Sequence, residues 1–266
     1  MIRLIDQTGN PLILDHPPAK IISLVPSQTE LLAALSLNQE TIGITKFCIH
    51  PNEWFKTKQI IGGTKNLNRS VIDALQPDLI IANKEENSET QVKELMKDFP
   101  VYCSDIKTLE DALGMIKDIG MLTNRNEQAA ELIDKISMGF SSLKKMPPVR
   151  TAYLIWQKPY MVAGGDTFIN DMMNRCGFIN IFKEKPRYPE TTIEALNNLK
   201  CELLILSSEP FPFKNNHAEA IQSAGFNGQI LLADGEMFSW YGSRLMMAPG
   251  YFESVKKRVS TQMLRR

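Results

Sequence analysis

The feature that most constrains the fold is a proline-free segment, residues 125–145, near the middle of the chain. Its apolar residues recur at helical spacing on one face, which predicts a single amphipathic helix. These residues are Ala129, Leu132, Ile133, Ile136, Phe140 and Leu143. At ~1.5 Å per residue such a helix would span about 30 Å, the diameter of a small domain. Pro147 and Pro148 end the pattern, so the segment predicts a stiff connection between two halves of the chain.

Strands and helices alternate on both sides of that segment. The strands predicted from apolar runs are residues 20–25, 41–45, 59–61, 79–82 and 101–102 before it, and 151–155, 203–206 and 230–233 after it. Helices are predicted between these strands, with starts marked by capping-box patterns at Ser27, Ser88 and Thr191. The alternation indicates an α/β fold with a mainly parallel central sheet in each half.

An internal repeat supports the division into two halves. Residues 75–85 align without a gap against residues 199–209, and both read as a helix end, a turn, an acidic residue, a buried strand and a final glutamate. The alignment sets Glu85 opposite Glu209. We therefore expect an N-terminal lobe over residues 1–123, a connecting helix over 124–146 and a C-terminal lobe over 147–266.

Charge and hydropathy narrow the class of protein. Lys and Arg total 30, and Asp and Glu total 30, so no bulk charge favours nucleic acid or a membrane surface as partner. No run reaches the ~20 apolar residues that a membrane span requires. Residues 1–10 have no apolar stretch and no cleavage site, so we predict no signal peptide there. The cytoplasm therefore stays open as a location.

Polar and aromatic residues collect just after the predicted strands, the edge where open α/β sheets bind ligands. Aromatic side chains on such loops form flat, rigid walls for a large ligand. The aromatic candidates are Phe47, Trp156, Tyr160, Tyr188, Phe211, Trp240 and Tyr241. The polar candidates are Gln28, Lys46, Asn66, Asp166 and Arg244. Lys46, Lys158, Arg187 and Arg244 would give these loops positive character, which favours an anionic ligand.

Two glycine pairs and four cysteines leave alternatives open. Gly62-Gly63 and Gly164-Gly165 would form simple turns or present free backbone N–H groups to an anion. The cysteines Cys48, Cys103, Cys176 and Cys201 show no CxxC spacing, so we expect buried thiols, although a disulfide stays possible. Cys48 and His50 suggest a nucleophile and a base, but their spacing implies no third catalytic group. Asp166 is the one further candidate if the protein is an enzyme. We predict no catalytic residue and no metal bound directly by the protein.

Residues 21–32 (IISLVPSQTELL), residues 77–82 (PDLIIA) with Glu85-Glu86-Asn87, and the connecting helix resemble the helical-backbone metal receptor superfamily. This superfamily includes the cobalamin and ferric-siderophore receptors of ABC importers. Residues 43–48, 62–67 and 234–242 resemble one subgroup of it. The resemblance implies the class III periplasmic binding protein fold, in which two Rossmann-like lobes joined by one long backbone helix hold a ligand in the cleft between them.

The same resemblance implies a function without chemistry. The protein would be a monomeric, periplasmic or cell-surface receptor that has no cofactor of its own and captures cobalamin or an iron siderophore. Glu85 or Glu86 on one lobe and Glu209 on the other would pair with arginines of an ABC permease dimer. Two other functions stay open, a cytoplasmic sensor or chaperone of a metal complex on the same fold, and an enzyme acting on such a complex.

Overall fold

A computed structural model of the protein describes residues 1–144 and 146–263. Lys145 and the residues after Met263, which fall in the predicted connecting helix and C-terminal lobe, lie outside the described residues. The chain forms two compact units. The first contains Met1–Ile106, Glu110–Lys135 and Tyr241–Arg244, and the second contains Lys107–Leu109, Ile136–Trp240 and the chain from Leu245 onward.

The first unit is built on a parallel sheet. Its N-terminal strands, β1 (Ile2–Ile5) and β2 (Pro11–Leu14), form an antiparallel hairpin. The sheet strands are β3 (Ile21–Ser23), β4 (Thr41–Ile44), β5 (Gln59–Ile60), β6 (Leu79–Asn83) and β7 (Val101–Ser104). They lie in the order β5-β4-β3-β6-β7, and every pairing is parallel. All residues of β3, β6 and β7 are buried, as expected for strands covered on both faces.

Helices connect these strands. They are α1 (Pro26–Ala34), α2 (Asn52–Thr57), α3 (Arg69–Leu75), α4 (Glu89–Leu95), α5 (Leu109–Leu122) and α6 (Asn126–Ser141). The predicted helix at 125–145 is therefore α6, which begins after Asn124 in a left-handed conformation (φ 55°) and ends at Ser141. The boundary between the two units falls inside α6, after Lys135.

The second unit is mainly parallel with an antiparallel edge. Its strands are β8 (Val149–Gln157), β9 (Tyr160–Val162), β10 (Phe178–Asn180), β11 (Glu190–Thr191), β12 (Leu203–Ser207) and β13 (Gln229–Ala233). The order is β11-β9-β8-β12-β13, and β10 also pairs with β8. Strands β10, β12 and β13 join in parallel, whereas β9 and β11 are antiparallel. This confirms the predicted α/β class.

The helices of the second unit complete the alternation. They are α7 (Phe168–Cys176), α8 (Ile193–Asn198), α9 (Asn215–Ser223), α10 (Glu236–Ser239) and α11 (Ala248–Met263), with a short 3₁₀ turn at Ser243–Met246. None of the helices in the described part of the chain is long and apolar enough to cross a membrane.

Two of the predicted helix starts are wrong in detail. Val25, not Ser27, is the N-cap of α1, because Pro26 occupies the first turn, where its missing N–H costs nothing. At α8 the cap is Thr192, one residue later than predicted, and its hydroxyl accepts from the N–H of Ala195 at 3.1 Å. Ser88 is the N-cap of α4 as predicted, but its side chain makes no capping hydrogen bond.

The internal repeat is visible in the backbone. The helix ends before β6 and β12 both close with a left-handed residue, Gln76 (φ 48°) and Lys200 (φ 52°). In the first unit Asp78 donates its N–H to the carbonyl of Lys20 and accepts the Lys20 N–H on its carboxylate. Glu202 does the same for the carbonyl and N–H of Arg150 in the second unit. The aligned acidic residues thus fix equivalent strand starts.

Candidate functional site

The loop after β4 brings three predicted ligand contacts together in the first unit. Phe47 is 51% exposed, and its ring lies over Gly63, where a Cβ would come within 3.2 Å of it. The Lys46 Nζ lies 5.2 Å from the centroid of the same ring. Asn66 closes the neighbouring turn, since its carbonyl accepts from the N–H of Gly63 at 2.8 Å. An exposed ring and a cation therefore share one surface at the carboxyl ends of β4 and β5, and the backbone of Asn66 closes the turn beneath the ring.

Gln28 lies elsewhere, in the interior of the first unit. Its side chain is fully buried, and its Nε2 donates to the Ser104 Oγ at 2.7 Å. The same nitrogen lies 3.4 Å from the carbonyl of Ala82. Gln28 lies in the first turn of α1, and these contacts place its side chain against the ends of β6 and β7. Gln28 therefore supports the fold in this conformation and presents no surface to a ligand.

Three of the four N–H groups in the two glycine pairs already donate to backbone carbonyls. The N–H of Gly164 donates to the carbonyl of Arg187 at 2.7 Å, and that of Gly165 to the carbonyl of Lys185 at 2.8 Å. A Cβ on Gly165 would lie 1.8 Å from the carbonyl oxygen of Lys183, so only glycine allows these backbones to approach. The N–H of Gly63 is also used, as described above. These three N–H groups are therefore not available to an anion: Gly63 bonds within a turn, whereas Gly164 and Gly165 pair with residues 185–187.

In the second unit an aromatic cluster surrounds the carboxyl end of β8. Trp156 is 40% exposed, and its ring meets Phe211 edge-on at a centroid distance of 5.7 Å. Phe211 in turn packs against Phe213 at 4.7 Å and His217 at 5.2 Å. Tyr160, half-buried in β9, and Phe211 both pack on the apolar core of this unit. The structure thus gathers three of the predicted aromatic residues around one wall.

His217 is a member of this wall that sequence reasoning did not include. Its Nδ1 accepts from the N–H of Lys214 at the start of α9, which fixes the ring against Phe213. The only sequence signal was its position in the first turn of a helix that follows two phenylalanines.

Asp166, Arg187 and Tyr188 form a second group in this unit. The carboxylate of Asp166 accepts from the backbone N–H of Arg187 at 2.5 Å. The guanidinium of Arg187, an exposed residue, lies 5.6 Å from the ring centroid of Tyr188. Asp166 therefore orders the segment that carries a cation and an aromatic ring, and its role is at least partly structural.

Trp240 is held by Glu209. The indole is only 8% exposed, and its Nε1–H donates to the Glu209 Oε1 at 3.0 Å. The same oxygen accepts from the Ser239 Oγ at 2.6 Å. Burial raises the pKa of the Glu209 carboxyl, and these two hydrogen bonds oppose that shift. Glu236 also raises this pKa through its charge.

Tyr241 and Arg244 are buried in the first unit. The guanidinium of Arg244 forms a forked ion pair with Glu30, at 3.0 Å from Nε and 2.7 Å from Nη2, and Arg244 is 9% exposed. Glu30, predicted to complete a capping box, is instead the partner of this arginine. Arg244 therefore anchors the 241–244 segment to α1, and its charge is neutralised. Lys46, Lys158 and Arg187 remain as exposed cations.

The loop after β6 carries the two other predicted docking carboxylates. The backbone N–H groups of Glu85 and Glu86 donate to the Asn83 Oδ1 at 2.9 and 3.0 Å. Asn83 is 1% exposed, and its Nδ2 donates to Ser104. Both glutamates are half-exposed. The buried amide thus fixes the backbone from which these carboxylates project.

Cys48 is unsuited to act as a nucleophile. All four cysteines are buried free thiols, as predicted. The Cys48 Sγ lies 3.1 Å from the Thr29 Oγ1 and 3.2 Å from the Thr45 Oγ1, and burial raises the pKa of its thiol. A thiol in this state is the unreactive form. Within residues 1–144 and 146–263, no three His, Cys, Asp or Glu side chains are grouped to hold a metal ion.

Exposed rings and cations at the carboxyl ends of parallel strands, in each of two α/β units, are the features of a ligand-binding protein. The model of the periplasmic binding protein family matches residues 21–236, so the chain belongs to this family. Membership confirms the resemblance seen in residues 21–32 and 77–82.

Individual relatives agree with this assignment. A vitamin B12-binding protein of Pectobacterium carotovorum is 23% identical over 87% of this chain and 86% of its own length. The ABC transporter substrate-binding lipoprotein YvrC of Bacillus subtilis is 24% identical over 75% of this chain and 67% of its own. The solved structure of the periplasmic heme-binding protein HutB of Vibrio cholerae superposes with a TM-score of 0.72 at 19% identity, covering 89% of this chain and 98% of that one.

Proposed function

We propose that the protein is the substrate-binding receptor of an ABC importer and that it captures a metal chelate without changing it chemically. The observation that carries this proposal is the pairing of exposed rings with exposed cations at strand ends. The first unit presents Phe47 beside Lys46, and the second presents Trp156 beside Phe211, with Lys158 in the adjoining turn. Cobalamin, a ferric siderophore and heme are the chelates that we consider.

The chemistry of these side chains favours a large ligand with an apolar face and anionic groups. Aromatic rings bury apolar ligand area with few rotatable bonds to freeze. Exposed lysine and arginine side chains attract anionic groups such as free carboxylates and raise the rate of capture. With Arg244 neutralised by Glu30, the cations that would meet such a ligand are Lys46, Lys158 and Arg187. This set favours a ferric siderophore or heme over neutral cobalamin.

We further propose that Glu85 or Glu86 and Glu209 dock the protein on a permease dimer, outside the cytoplasmic membrane. The half-exposed position of Glu85 and Glu86 and the fixed backbone beneath them support this role. The Bacillus subtilis relative is named as a lipoprotein, which supports a location at the cell surface or in the periplasm. Two such ion pairs would set the orientation of docking more than its strength.

Isothermal titration of the purified protein with cyanocobalamin, hemin and a ferric hydroxamate siderophore tests the ligand class. We expect one of the three to bind with a dissociation constant of about 1 μM or tighter, equivalent to ~8 kcal/mol. Mass spectrometry of the recovered ligand should show it unchanged, whereas a modified product would favour an enzyme.

The control distinguishes the strand-end surface from binding elsewhere. Trp156→Ala should weaken binding, because it removes an exposed ring from the wall, whereas Met138→Ala changes an exposed side chain of α6 and should not. If wild-type protein binds none of the three chelates, the proposal is wrong.

A further inference from the structure

The carboxylate of Glu209 lies at the centre of a small hydrogen-bonded assembly in the second unit. Three bonds join the loop after β12 to the segment that contains α10. The N–H of Gly235 donates to the Ser208 Oγ at 2.9 Å. Ser239 and Trp240 both donate to the Glu209 Oε1, at 2.6 and 3.0 Å. The two chain segments are therefore tied at both ends of the helix, and Glu209 makes two of the three bonds.

Close packing at Gly235 supports the same conclusion. A Cβ added at Gly235 would lie 2.5 Å from the Glu209 Cγ and 2.5 Å from the Ser207 Oγ. The start of α10 thus rests directly on the aliphatic part of the glutamate. The stem of Glu209 is confined by packing, which directs its Oε1 toward the end of the helix.

Trp240 depends on this carboxylate for its orientation. Its indole is mostly buried, and a buried N–H that loses its acceptor is destabilising because no water replaces the lost bond. A carboxylate is a stronger acceptor than a neutral oxygen, so the indole plane is well fixed. Burial raises the pKa of the Glu209 carboxyl, and the charges of Glu236 and Asp234 raise it further. Ionisation of Glu209 is unfavourable at this position, so its hydrogen bonds to Ser239 and Trp240 are the interactions that favour the carboxylate there.

We propose that Glu209 is a positioning residue for ligand binding, which fixes the Trp240 indole and the end of α10 in addition to any contact with a permease. This inference rests on the proposed function and adds to it Trp240, which the sequence places among the ligand contacts and which is 8% exposed. It makes the two aligned glutamates unequal: Glu85 acts only at the protein surface, and Glu209 also supports the ligand-binding aromatic residue.

A double-mutant cycle with Trp240→Phe tests the inference, with affinity for whichever of cyanocobalamin, hemin or the ferric hydroxamate binds the wild type. Glu209→Ala should weaken binding about tenfold, because the indole loses its acceptor. Glu209→Gln keeps an acceptor oxygen and should lose less than about threefold. Phenylalanine has no N–H, so in the Trp240→Phe background Glu209→Ala should add little further loss. Glu219→Ala, an exposed carboxylate of the same unit, is the matched control.

A spectroscopic measurement gives an answer that does not depend on the ligand. In the ¹⁵N-correlated NMR spectrum the Trp240 indole signal, assigned by its loss in Trp240→Phe, should be shifted downfield and slow to exchange in wild type. Glu209→Ala should remove both properties, and Glu209→Gln should keep the slow exchange.

The outcomes separate the two proposals. Additive losses in the cycle, or an unchanged indole signal in Glu209→Ala, would overturn the positioning role even if the wild type binds a chelate. If no chelate binds while the indole signal responds as expected, the function assignment fails and the Glu209–Trp240 contact stands. Circular dichroism of each variant shows whether it is folded, and Glu209→Gln keeps the cycle usable if Glu209→Ala is not.

Discussion

The loops after β6 and β12 share the same backbone scaffold, but their glutamates make different contacts. Both follow a left-handed helix end and an acidic residue that binds the start of the neighbouring strand. In both, the side chain at the strand end accepts a hydrogen bond from the backbone N–H of the glutamate two positions later. Asn83 accepts from Glu85, and Ser207 accepts from Glu209. The repeat therefore preserves the scaffold that presents the glutamate.

What differs is the use of the carboxylate. The side-chain amide of Asn83 also accepts from the N–H of Glu86 and donates to Ser104, so a buried side chain at the strand end holds the first loop. Ser207 has one hydroxyl, and the second loop is held instead by the glutamate itself through Ser239 and Trp240. The comparison shows that an internal repeat predicts the backbone position of a residue, but not the side chains that it will contact.

The largest expected effect tests how the first loop is held. Asn83→Ala removes four hydrogen bonds of a buried amide and should lower the free energy of unfolding by about 3 kcal/mol. Ser207→Ala removes only two bonds, from the Tyr153 hydroxyl and the Glu209 N–H, and should cost about 1.5 kcal/mol. Urea denaturation followed by circular dichroism measures both. Equal losses would show that the two loops are supported alike.

The next effect concerns ligand affinity. Trp240→Ala should weaken chelate binding more than tenfold, because an aromatic residue that anchors a ligand typically contributes about 2 kcal/mol. Phe47→Ala removes an exposed ring that is less firmly held than the Trp240 indole, and we expect a loss of roughly threefold. Calorimetric titration compares the two. A larger loss at Phe47 than at Trp240 would place the dominant contact in the first unit.

The smallest effect on the isolated protein should come from Glu85→Ala. Its side chain projects from a backbone that Asn83 already fixes, so stability should change by less than about 0.5 kcal/mol and chelate affinity should not change. Ligand-dependent ATP hydrolysis by the reconstituted importer should fall. A loss of chelate affinity in Glu85→Ala would show that this carboxylate contacts the ligand, and would remove the contrast with Glu209.

The sequence predicted the α/β class because that class depends on patterns of apolar residues, which local spacing reveals. The repeat at residues 75–85 and 199–209 is confirmed down to the left-handed residues. The antiparallel strand β9 was missed, since residues 158–162 begin with a polar turn and have only three residues in the strand. Helix starts were misplaced by two residues at α1, where a proline occupies the first turn, and by one residue at α8, where a second threonine forms the cap.

The candidate site was harder to predict, because side-chain direction depends on contacts distant in sequence. Gln28 and Arg244 have the residue types of ligand contacts, yet each is used inside the first unit, Arg244 by Glu30 from the other end of the chain. Phe47 and Trp156, which lie at strand ends with no polar partner to bury them, are exposed as predicted. The Glu209–Trp240 bond joins residues 31 positions apart, and no local pattern announces it.

The tie between Glu30 and Arg244 has a consequence for how the protein can be dissected. Because residues 241–244 belong with the first unit, that unit is not one continuous stretch of chain. A fragment truncated at residue 146 would carry Glu30 without its arginine, a half-buried carboxylate with no counterion. Attempts to exchange N-terminal halves between relatives should therefore carry this four-residue segment with them, or graft a matched glutamate and arginine together.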